Sequence, residues 1–126
     1  MISVEDVAKV AHEVNRAYCL AATNDDTQKP WEETPQWLRE SVIAGVRFHL
    51  TNPQAGPEAS HENWLEYKRA EGWRYGHRKD EAKKLHPCMI PFVDLPRSQQ
   101  TKDHLFRAVV HALMDKINEK PVEARN

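Results

Sequence analysis

Residues 61–96 read HENWLEYKRAEGWRYGHRKDEAKKLHPCMIPFVDLP, and the punctuation of the second half constrains the fold more than any other feature of the chain. Gly72 and Gly76 bracket Trp73-Arg74-Tyr75, and Pro87, Pro91 and Pro96 follow. Proline lacks the backbone donor and locks φ, so no continuous helix passes through this stretch, and any strand in it is short and edge-like. Residues 73–75 and 89–93 are rich in β-formers. They are expected to pair as a small ribbon, with the charged excursion 76–85 between them.

Helical periodicity governs the rest. Val4, Val7, Ala11, Val14, Tyr18 and Ala21 recur every three or four residues, with Lys9, His12, Glu13 and Arg16 on the opposite face. Ser3, with Asp6 three positions on, is a capping start. Asn24-Asp25-Asp26 closes this first helix and opens a polar loop to Pro30. Thr34 is the expected N-cap and Pro35 the first residue of a second helix running to about residue 50. Its row is Leu38, Val42, Val46 and Leu50, flanked by Trp37, Ile43 and Phe48. Gly45 in mid-helix costs about 1 kcal/mol relative to alanine, which points to a close approach by another element.

Asn52-Pro53 and Gly56-Pro57 read as a loop. Ser60 then caps a third helix over residues 61–71, closed by Gly72. A fourth helix starts near residues 96–98 and buries Phe106, Val109, Val110, Leu113 and Ile117. Pro121 is its expected end, and residues 119–126 read as a frayed tail. The expected fold is mainly α (α+β): four helices around one core, with a short β-ribbon and loop between the third and fourth.

A chain of 126 residues suits one domain. No apolar run approaches the roughly 20 residues needed to span a bilayer, so a cytoplasmic protein without a membrane partner is expected. Cys19 and Cys88 are too few for a disulfide framework. A formal net charge of -1 argues against an extended nucleic-acid partner.

Within that neutral balance, cations collect locally. Arg74, Arg78, Lys79, Lys83 and Lys84 face only Asp80 and Glu81 over residues 74–86. A cationic loop beside aromatic residues suits a small, anionic, ring-bearing ligand. Trp73 and Tyr75 are the candidates for stacking its ring. Arg74 and Arg78 would meet its charge as bidentate donors and Lys84 as a point charge. Glu13 and Arg16, from the polar face of the first helix, are candidates for an opposite wall. Trp73 has an alternative reading as a core plug between the third and fourth helices.

His86 and Cys88 lie two apart on an extended segment and point to opposite sides, which does not suit a nucleophile and its base. His61, His77, His86 and Cys88 lack the paired spacing of a zinc site. Neither catalysis nor a cofactor is called for.

The elements His61-Glu62, Trp64, Lys68, Gly72-Trp73-Arg74-Tyr75-Gly76, Asp80, Lys84, His86-Pro87-Cys88, Pro91-Phe92 and Leu95-Pro96 stand in the order and spacing of a known module. Over this stretch the chain resembles the RyR repeat, named after the ryanodine receptor and also found singly in bacterial and phage proteins. It departs from that pattern where His77-Arg78 follow Gly76. The resemblance implies one RyR-type domain over residues 1–126, with an N-terminal helical part (1–57), the repeat (58–120) and a tail (121–126). It implies non-enzymatic binding of an adenine nucleotide or nucleotide-derived signal, by a sensor or a sequestering protein in a bacterial or phage-infected cytosol. The competing reading is a protein-interaction module using the same aromatic and basic surface. Receptor repeats come in pairs, so a homodimer would recreate that arrangement.

Overall fold

The computed structural model describes residues 2–117. Four helices carry the fold: α1 (Val4–Thr23), α2 (Gln36–Thr51), α3 (Pro57–Ala70) and α4 (Arg97–Leu113). Two short strands, β1 (Arg74–Tyr75) and β2 (Leu85–His86), lie between α3 and α4. The chain is therefore mainly α with a small β element, as its periodicity and punctuation indicate.

Local chemistry sets the ends of α1. The Ser3 hydroxyl accepts from the Asp6 N–H at 3.1 Å, and the Asp6 carboxylate accepts from the Ser3 N–H at 3.0 Å. At the other end Asn24 turns left-handed at φ 59° and its N–H returns to the Cys19 carbonyl. Both α1 and α3 pack against α2 and α4. Val4, Val7, Trp31, Val46 and Val110 form one buried cluster; Leu65, Trp73 and Met89 form a second, with Trp37 and Trp64 against it.

Several boundaries differ from the sequence expectation. Thr34 does not cap α2. Its hydroxyl instead donates to the Pro30 carbonyl at 2.9 Å, closing the 3-10 turn Trp31–Glu33, and Pro35 takes the cap position. Helix α3 starts four residues before Ser60 would place it. Gly56 caps it and Pro57 fills the first turn, where a missing N–H costs nothing. His12 is buried rather than exposed, with Nε2 2.6 Å from the Lys29 carbonyl oxygen. Ile117 has left the α4 helix and bridges to Ile2 beside the first cluster. The expected Pro121 stop and the 119–126 tail lie outside the described residues.

The ribbon is the largest local correction. Strand β1 pairs in parallel with β2, Arg74 opposite Leu85 and Tyr75 opposite His86, and not with residues 89–93. The excursion folds on itself: Asp80 and Leu85 exchange backbone hydrogen bonds of 2.9 Å in each direction, and Lys84 adopts φ 56°. That tight return delivers Leu85 beside Arg74. Pro87 lacks a donor and follows the last pair, and Phe92–Asp94 form a 3-10 turn.

Candidate functional site

The helices enclose a cavity of about 260 Å³. One wall is the face of α3 that carries His61, Trp64 and Lys68; Trp37 and Ser41 of α2 contribute as well. His12 and Asn15 reach it from α1, and Lys102 and Asp103 from α4. The loop after α3 supplies Trp73, Lys79, His86 and Cys88. Three tryptophans thus share one cavity with several polar groups, the composition of a small-molecule site.

Lys68 is the unusual member. Only 3% of the residue is exposed, and Nζ has no hydrogen-bond partner. Its nearest carboxylate oxygen, Glu71 Oε1, is 3.6 Å away, an ion-pair separation too long for a hydrogen bond. Nζ sits over the rings of Trp37 (5.1 Å), Tyr67 (5.6 Å) and Trp73 (5.6 Å), whose π faces partly replace water. Burial pushes the Lys68 ammonium below the ordinary lysine range, although Glu71 pulls the other way. A buried amine without a hydrogen-bonding partner is costly, and an anion is the ligand that removes the cost.

Aromatic contacts continue along the wall. The His61 and Trp64 rings stack at 5.5 Å, the Trp64 ring meets His86 edge-on at 5.1 Å, and His86 meets Trp73 at 6.3 Å. Burial pushes the His86 imidazole down to about 4, so it is neutral near pH 7. Its Nδ1 accepts from the Cys88 backbone N–H at 3.0 Å. Burial raises the Cys88 thiol above its ordinary value, away from the thiolate form a nucleophile needs.

The seven residues singled out from the sequence are scattered. Trp73 lines the cavity and is also core, 7% exposed against Leu65 and Met89, as its alternative reading expected. Burial also removes it as the exposed anchor of a protein-contact patch. Tyr75 is 55% exposed on β1, and Arg74 and Arg78 are exposed, none of them in the cavity wall. The Lys84 ammonium leaves the cavity too and donates to the Glu71 carbonyl at 2.7 Å. Glu13 accepts from Arg16 at 2.8 Å and from the Trp31 N–H at 3.0 Å, which ties both α1 residues into a structural contact. Their helix neighbours His12 and Asn15 face the cavity instead.

Lys68, Trp37, His61 and Asp103 line the cavity but are not among the seven residues singled out from the sequence. A usable signal did exist. His61, Trp64 and Lys68 stand at i, i+3 and i+7, one helical face mixing an aromatic ring with two titratable groups.

The RyR domain family model matches residues 52–115. The chain belongs to the RyR domain family. The matched part contains α3, both strands and all of α4, hence Lys68, Trp64, Trp73 and Asp103. Helices α1 and α2 precede it entirely, so this RyR domain completes its cavity with Trp37, Ser41, His12 and Asn15 from outside the matched part. Among the described residues no helix is long and apolar enough to cross a membrane.

Proposed function

We propose that this RyR domain binds a small anionic ligand with a planar ring in the cavity between its helices, and that it does so without catalysis. The adenine nucleotides and signals derived from them are the ligand class the fit favours. The observation that carries the reading is the Lys68 amine, buried and without a hydrogen bond beneath three aromatic rings. An incoming phosphate or carboxylate oxygen supplies the charge-assisted hydrogen bond that Lys68 lacks. Trp64 and Trp73 offer π surface for a base or similar ring. A volume of about 260 Å³ suits a mononucleotide-sized occupant and excludes a polymer. The basic residues Arg74, Arg78 and Lys84 then act at longer range, raising the local anion concentration rather than touching the ligand.

The test is calorimetric titration and thermal shift with mono- and dinucleotides and ADP-ribose-type compounds, on the unmodified domain and on Lys68→Met. A ligand at 100 times its Kd should stabilise the fold by about 2.7 kcal/mol, a shift of several degrees. Methionine keeps the stem packing and removes the charge, so Lys68→Met should fold at least as well yet bind about 10- to 100-fold more weakly. Absence of any shift in folded protein, or equal affinity in the variant, would overturn the reading.

A further inference from the structure

The cavity has a second polar end. On α3 the positions of His61 and Lys68 differ by two turns, which sets them about 10 Å apart along the axis with Trp64 between. Only 4% of His61 is exposed, and its Nε2 lies 2.7 Å from the Ile90 carbonyl oxygen. A carbonyl only accepts, so Nε2 carries the hydrogen, and in the neutral tautomer with that hydrogen Nδ1 presents a lone pair. That lone pair faces Asp103 Oδ2 from α4 at 3.9 Å.

When Asp103 is ionised, above about pH 7, two acceptors therefore confront each other in the cavity wall. The separation is too long for a hydrogen bond between them, and neither atom has another among the described residues. Burial pushes the Asp103 carboxyl up to about 7, with Lys102 as the opposing influence, so the group lacks the donors that normally hold a buried carboxylate ionised.

We propose that His61 Nδ1 and Asp103 Oδ2 form a donor-reading subsite that takes an amino group on the ligand's ring, one N–H to each acceptor. The proposal rests on the ligand-binding reading above. It gives the cavity a polarity: the anionic group at Lys68, the ring along Trp64, the amino edge between α3 and α4. A ligand with a ring oxo group in place of the amino group would set a third acceptor against the first two. Such a ligand is rejected because buried acceptors stay unpaired.

The experiment compares AMP with IMP, in which an oxo group replaces the amino group and the adjacent ring nitrogen gains a hydrogen, by calorimetry on the unmodified domain and on Asp103→Asn. The unmodified domain should prefer AMP by about 10- to 100-fold, the size of one or two buried hydrogen bonds. Asparagine brings its own N–H donors, so Asp103→Asn should lose most of that preference and bind IMP as well as or better than the unmodified domain does. Equal affinity of AMP and IMP for the unmodified domain would overturn the subsite and leave the Lys68 reading standing. A preference unchanged in Asp103→Asn would likewise overturn it. Binding of neither nucleotide, with the protein folded, would overturn the subsite as stated for AMP; absence of binding by the dinucleotides and ADP-ribose-type compounds as well would overturn the Lys68 reading too.

Discussion

His49 makes the stability of this domain sensitive to acid. The residue is completely buried, and neither ring nitrogen has a hydrogen-bond partner. It packs against Phe48 at 5.2 Å, Phe106 at 6.1 Å and His111 at 6.3 Å between ring centroids. Burial first, and then the positive potential of His111 and Arg107, push its imidazole down to about 4. In the unfolded chain a histidine titrates near 6.5. Above that pH both states are neutral and nothing is lost. Between 6.5 and 4 the unfolded chain takes up a proton that the native state refuses, so stability falls with falling pH at up to about 1.4 kcal/mol per unit. At pH 5 the loss from His49 is about 2 kcal/mol.

The perturbation is His49→Leu, similar in size and unable to titrate. Urea unfolding at pH 7.5 and pH 5, followed by tryptophan fluorescence, gives a stability loss for each protein. The loss in the unmodified domain should exceed that in His49→Leu by about 2 kcal/mol. Taking the difference matters because other groups titrate in the same range. His86, also pushed down to about 4, adds a loss in the same direction. Asp103, pushed up to about 7, takes up its proton in the native state first and offsets part of it. Both are common to the two proteins and cancel. At pH 7.5 the leucine variant should be no less stable, since it removes two unpaired buried nitrogens. Parallel pH profiles would refute the reasoning, because His49 would then titrate alike in both states.

Two further substitutions test the packing. Trp73→Ala should cost about 3–5 kcal/mol in urea unfolding, as expected for a large aromatic removed from a core cluster; a cost under about 1 kcal/mol would mean that Trp73 is a wall residue alone. Gly45→Ala should lower the melting temperature despite the better helix propensity of alanine. Its methyl group would lie 3.0 Å from Phe106 Cζ and 3.2 Å from Cε1, and such overpacking, at about 1–3 kcal/mol, outweighs a propensity gain of about 1 kcal/mol. A higher melting temperature would show that the Phe106 ring yields freely.

The site was less legible in the sequence than the fold. The capping pair Ser3 and Asp6 and the left-handed Asn24 could be read directly, because each acts within a few residues of chain. The early start of α3 was within reach too: Gly56-Pro57 suits a loop and a helix N-terminus equally, and the apolar pattern behind it is too weak to choose. The strand partner was not. Residues 89–93 have the better β-formers, but pairing went to Leu85–His86 because the Asp80 turn returns the chain there first. Trp73 was the one candidate placed in the cavity wall. Its basic neighbours Arg74, Arg78 and Lys84 look like ligand contacts by proximity in sequence, yet the alternation of a strand and the path of a loop carry them outward.

The sequence by itself determined where the helices lie and that the chain is an RyR domain, because helix signals and motif spacing are properties of short stretches of chain. Only the tertiary structure decided which polar groups are removed from water. Nothing local in the sequence marks Lys68, His49 or Asp103 as withdrawn from water, since charged and polar side chains are usually exposed. Their burial follows from packing α3 and α4 against α2. Desolvation is a property of everything that surrounds a group, and residues distant in sequence supply most of those surroundings.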